Sequence, residues 1–179
     1  MTKVICPALS ILMWLSTTLV FSGETAKIEG FRDLKWGTTL EEAIKIYPDL
    51  TFNPKAEEYF RENEDKKIGD VEVDRIEYSF KDNKFFRVIA RISGTKREEY
   101  KRVLSGFMTL KNNIEAKYGM GVHKEERRRL PGIVKHEKLE WIVGDSKINL
   151  SELELMLDKY ILDAVLVIEN ISAGSKLGF

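Results

Sequence analysis

The stretch ILDAVLVI, residues 161–168, decides how the rest of the chain has to be arranged. Leu162, Ala164, Leu166 and Ile168 alternate along one side of an extended segment, while Val165 and Val167 occupy the other. A strand that is apolar on both faces needs cover on both, which suits a central position in a sheet, or an edge covered by the segment next to the chain's leader. Immediately upstream, Asp158 and Lys159 make a turn. Before it, residues 139–143, centred on Trp141, form a short strand that Gly144, Asp145 and Ser146 turn into Ile148 and Leu150. The alternation slips phase near Ser151 and Glu152, after which Leu153, Leu155 and Leu157 carry the apolar face. These segments read as a hairpin feeding the two-faced strand.

A second hairpin is written further upstream. Val71 and Val73, then Ile76, Tyr78 and Phe80, alternate with a slip near Asp74 and Arg75 that marks a bulge or tight turn. Asp82 and Asn83 tolerate positive φ and make the hairpin turn. Phe86, Val88, Ala90 and Ile92 then form the inward face of the returning strand, with Arg87 and Arg91 outward in solvent. Between the two hairpins, Thr95 and Glu98 spell a capping box, and the spacing predicts a helix running to Tyr118. Its stripe is Tyr100, Val103, Leu104, Phe107, Leu110, Ile114 and Tyr118, which packs across a sheet, and Gly119 closes it. Gly119 and Gly121 also make a G-x-G, but it follows a helix instead of opening one, so capping explains it better than phosphate binding.

The first ordered element is FRDLKWGTTLEEAIKIYP, residues 31–48. Thr38 with Glu41, or Thr39 with Glu42, supplies a capping box, and Leu40, Ala43, Ile44 and Tyr47 lie on one face before Pro48 stops the helix. Trp36 precedes a glycine that lets the chain turn, and its indole is read as core or lid. Residues 49–67 are polar and read as a surface connection with a helical turn over 55–61, pinned by Tyr59 and Phe60. The element order predicts an α+β fold, an antiparallel sheet of about five strands with two main helices packed on one face.

Residues 1–22 have a positive start and an uncharged apolar run, the layout of a signal peptide cut after Ser22, with an uncleaved anchor as the rival reading. A single domain over 23–169 and a mobile tail over 170–179 follow. Cys6, the one cysteine, falls in the leader, so the exported domain has no thiol chemistry and no lipid-attachment cysteine at the cut. The 29 basic and 29 acidic side chains cancel, which removes the usual electrostatic argument for a nucleic-acid partner.

Candidate functional residues are few. Lys124, Arg127, Arg128 and Arg129 are a possible partner-binding cluster, since arginine presents paired donors to carboxylates, although Glu125 and Glu126 dilute the field. His123 and His136 have glutamates nearby but match no metal-ligand spacing. There is no G-x-S-x-G and no H-E-x-x-H, so no catalytic, cofactor or metal residue is assigned. Glu77 and Tyr78 remain as a conceivable carboxylate–phenol pair near a cleft.

Phe31, Trp36, Gly37, Thr38, Thr39, Leu40 and Glu42, with Tyr78, Phe80, the KYG at 117–119, Trp141, Ile148 and Leu150, resemble a group of small exported bacterial proteins that open on an aromatic residue, W-G-T or W-G-S and a capped helix. More distantly the chain is similar to the helix-plus-sheet folds of SmpA/OmlA outer-membrane assembly lipoproteins and beta-lactamase inhibitor proteins. The resemblance implies a periplasmic or secreted protein. Taken with the missing catalytic motifs, the expectation is a non-catalytic module that binds another envelope or secreted protein, with no cofactor, no nucleic acid and no stable membrane insertion once the leader is cleaved. The alternative is a small-ligand-binding protein or a carboxylate-based hydrolase.

Overall fold

The computed structural model describes residues 27–124, 133–156 and 160–172. The leader expected over 1–22 and all but the start of the tail lie outside them. The chain opens with a small ribbon, β1 (Gly30–Phe31) and β2 (Leu34–Lys35), followed by α1 (Leu40–Ile46). Next come β3 (Leu50–Asn53), β4 (Glu58–Arg61), the ribbon β5 (Lys67–Ile68) and β6 (Val71–Glu72), and the hairpin β7 (Arg75–Lys81) and β8 (Lys84–Gly94). A 3-10 turn (Arg97–Glu99) leads into α2 (Tyr100–Tyr118), and the chain continues with β9 (Val122–His123), β10 (Ile133–Val143), β11 (Ser146–Met156) and β12 (Tyr160–Asn170).

Eight strands form one antiparallel sheet in the order β3-β4-β7-β8-β12-β11-β10-β9. The two-faced segment 161–168 is therefore central, one of the two placements its sequence allows. The α+β expectation of about five strands under two main helices is overturned: the protein is mostly β, 49% strand against 23% helix. The extra strands come from segments whose polarity hid them. Residues 49–67 form a β3–β4 hairpin and part of a second ribbon in place of a connection with a helical turn, because Phe52 and Tyr59 face each other across the hairpin with their rings 5.1 Å apart. Meanwhile α1 has only seven residues.

One face of the sheet carries the core. Leu139, Trp141, Ile148, Leu150, Leu162, Ala164, Leu166, Val88, Ala90, Ile92, Ile76 and Tyr78 are all buried there. Helix α2 covers this face with Val103, Phe107 and Leu110, and α1 adds Ala43 and Tyr47. Gly106 lets α2 approach β8 closely, since a Cβ there would lie 2.4 Å from Ile92 Cδ1. Glu152 points into the same face and is wholly buried, opposite Glu137, which pairs with Lys111 of α2 at 3.3 Å. That inward glutamate, with Leu153 turned outward, is what the sequence presents as a phase slip; β11 itself pairs with β12 without a break. A true register shift sits between Ser79 and Phe80, and it buries Phe85 in place of the expected Phe86.

Of the two caps written at the first helix, the structure uses Thr39. Its hydroxyl accepts from the Glu42 N–H at 3.3 Å, and the Glu42 carboxylate accepts from the Thr39 N–H at 3.0 Å. At the longer helix the reaching carboxylate is Glu99, one residue later than expected, accepting from the Thr95 and Lys96 N–H groups at 2.8 and 3.1 Å. These bonds hold the Glu42 and Glu99 carboxyls below the ordinary carboxylate range.

Candidate functional site

Among the described residues, no helix covers the opposite face of the sheet. Its charged side chains are engaged with one another: Glu77 accepts from Arg75 at 3.0 Å and Arg91 at 3.1 Å, Arg87 reaches Glu58 at 2.8 Å, and Lys147 meets Glu169 at 2.6 Å. The arginines expected outward in solvent do face outward, with Arg87 33% and Arg91 40% exposed, but are held in ion pairs. Ion pairs therefore run across this face from β7 to β12, although Asn149 Oδ1 and Glu58 Oε2 are buried there with no hydrogen-bond partner among the described residues.

The β9 edge of this face is different. Val122 pairs with Glu140, and continuing that register sets Met120 beside Ile142. The three apolar side chains are 80% (Met120), 60% (Val122) and 59% (Ile142) exposed, the most exposed large apolar groups among the described residues. Gly121 holds the turn of chain against the sheet, since a Cβ there would lie 2.5 Å from the Trp141 ring, while the Trp141 indole donates to the Gly119 carbonyl at 2.8 Å. Both glycines of the G-x-G are therefore structural, one as the α2 cap at φ 82° and one as a close contact. Lys124 flanks the patch, its ammonium 3.0 Å from Glu140. Arg127, Arg128 and Arg129 lie outside the described residues. The patch itself was legible in W-I-V at 141–143, because three apolar residues in a row on a strand must turn the middle one away from the core.

A second concavity lies on the helix side, between the C-terminal half of α2, the sheet centre, residues 27–30 and the β5–β6 turn. It measures about 500 Å³. Leu110 and Ile114 form its roof, Ile148, Leu166 and Ile168 its floor, and Lys27 and Lys117 stand at its rim. Most of this lining was expected to be closed core.

A third feature is a buried polar cluster at the other end. The Tyr78 phenol donates to Glu64 Oε2 at 2.8 Å, and the Glu64 carboxylate pairs with Arg32 and, at 3.7 Å, with Arg61. Arg61 lies 3.9 Å over the Tyr47 ring and donates to Asp49 at 3.0 Å; Tyr47 donates to Asp33 at 3.0 Å. Burial pushes the Tyr78 phenol up to about 12, so it stays protonated and donating at neutral pH. The cluster ties the β1–β2 ribbon, the end of α1 and β4 together. A cleft of about 350 Å³ beside it is lined by both signs of charge, and its Asp74 and Arg75 are taken by Arg102 and Glu77.

Glu77 and Tyr78 do not converge. Adjacent on one strand, they point to opposite faces, Glu77 into the ion-pair lattice and Tyr78 into the core. His123 sits on β9 opposite Leu139 and His136 on β10 opposite Leu153, and among the described residues no three His, Cys, Asp or Glu side chains gather as a metal requires. Comparison with family models, with curated proteins and with solved structures finds no match for the chain.

Proposed function

We propose that this protein is an exported, non-catalytic binding module that docks on another envelope or secreted protein through its β9 edge. One observation carries the reading: Met120, Val122 and Ile142 stand side by side in solvent at the end of a face whose arginines are held in ion pairs. Exposed apolar side chains gathered at one place mark an interaction surface, whereas scattered ones do not. Lys124 borders the patch and the sequence after it carries three consecutive arginines, so the partner should offer apolar residues bordered by carboxylates. Location in the periplasm or outside the cell rests on the leader-like residues 1–22 and on the resemblance to small exported proteins. The hydrolase alternative loses its named pair, because Glu77 and Tyr78 lie on opposite sides of the sheet.

The test is crosslinking in intact cells, pull-down and intact-mass analysis of the bait. A Met120→Ser, Val122→Ser, Ile142→Ser chain should melt within a few degrees of the wild type and lose its crosslinked partner. A partner retained by that chain, or none captured by the wild type, sinks the reading. A bait mass starting near Gly23 supports export, and a full-length membrane-bound mass counts against it.

A further inference from the structure

We infer that the cleft under α2 is a binding site for a single-chain anionic amphiphile, an aliphatic carboxylate whose chain lies between helix and sheet. The inference does not rest on the β9 edge, which lies on the opposite face of the sheet. The cleft, at about 500 Å³, falls in the size range of small-molecule sites, roughly 300–1,000 Å³. Its floor and roof are aliphatic, with Leu110 and Ile114 above, Ile148, Leu166 and Ile168 below and Ile68 at the side, while Lys27, Glu29, Asn113 and Lys117 supply its polar groups. A compact core would close such a space, and water lying between the aliphatic floor and roof finds few hydrogen-bonding partners there. An unbranched chain is the shape that fits a slot between a helix and a flat sheet.

The rim decides the head group. Lys117 is exposed, stacks over the Tyr118 ring at 5.2 Å and has no carboxylate within ion-pair distance among the described residues. Lys27 stands across the mouth, and the one acidic lining residue, Glu29, is 3.8 Å from it. Asn113 is occupied by Asp70 at 3.1 Å. Two ammonium groups against one carboxylate favour an anionic head over a cationic one, and the ammonium of Lys117, with no carboxylate partner among the described residues, marks where it sits.

The experiment titrates decanoate, dodecanoate and tetradecanoate, each below its micelle concentration, into protein recovered from cells with its N-terminus fixed by intact mass. One saturable site is expected, tightening about fourfold per added methylene. Ile114→Trp, which fills the cleft from a half-buried position, should weaken dodecanoate at least tenfold. Lys117→Glu, at an exposed position, should weaken dodecanoate several-fold and leave dodecanol unchanged. Lack of a saturable site overturns the inference, as does unchanged binding by a folded Ile114→Trp chain or an equal effect of Lys117→Glu on acid and alcohol. A site that opens only when residues 1–22 are removed would make the apolar leader the occupant and overturn it too. Phosphatidylglycerol vesicles separate the two sources of such a chain: protein that sediments with them draws it from lipid, and protein that stays in the supernatant while binding dodecanoate takes it free.

Discussion

The two ends of the inner face are built from the same layer of apolar residues yet are finished differently. At the β7 end, Trp36, Phe85, Phe80, Tyr59 and Tyr78 stack in a chain with ring centroids 5.0 to 6.0 Å apart, and the Glu64 cluster seals the outside. At the β11 end, aliphatic residues face α2 across the cleft. Rings fill space at low cost in side-chain freedom, and their polar tips can be anchored, as the Trp36 indole is on Ile28 O at 2.9 Å and Ser146 Oγ at 3.1 Å. At this end the isoleucines and leucines of helix and sheet do not close on one another, and the cleft lies between them. The contrast separates an end that is sealed for stability from one that is left open.

The largest effects should come from the sealed end. Phe85→Ala and Trp36→Ala are each expected to cost about 3–5 kcal/mol in chemical denaturation, the range for aromatic truncation in a packed core. Leu110→Ala should cost about 2 kcal/mol, at the low end for its type, because it enlarges a space already in contact with solvent. Equal losses at the two ends would erase the contrast.

Alkaline titration sharpens it further. The Tyr78 phenol, raised to about 12, keeps its proton in the folded chain, while in the unfolded chain it ionises near the ordinary value of about 10. Stability conferred by this group is complete below pH 10 and is lost as pH rises toward 12, by up to about 3 kcal/mol. Tyr78→Phe should flatten most of that fall and cost about 1–2 kcal/mol at neutral pH, because Glu64 loses one donor. A melting curve with the same alkaline slope in both proteins would remove Tyr78 from the seal. The smallest effect is at the cap: Thr39→Ala should cost about 1 kcal/mol.

What the chain wrote locally is what the structure repeats. Asp82 and Asn83 take φ values of 50° and 63°, Gly119 caps α2, and residues 161–168 are central. What failed depended on partners far along the chain. The β3–β4 hairpin is polar because it lies at the rim of the sheet, where little cover is needed. Glu152 reads as a break in a strand because nothing local announces a buried carboxylate. Arg87 and Arg91 read correctly as outward, but their ion pairs with Glu58 and Glu77 are not written in the sequence around them. The cleft was illegible for a related reason: Leu110, Ile114 and Ile168 are spelled like any core, and only three-dimensional separation leaves room between them.

The position of β12 has a consequence for how the chain is made. In the sheet, β8 and β11 are joined only through β12, which comes after both of them in the chain. Until residues 160–170 have emerged from the ribosome, the two hairpins are separate sheets, each with an open edge that a holding chaperone can grip. Completion of the sheet therefore waits for β12, the last of its eight strands in chain order. A polypeptide with this topology keeps two separate sheets until that strand joins them, and when it is drawn through a narrow pore from its N-terminus, the strand that locks the fold arrives after the seven it unites.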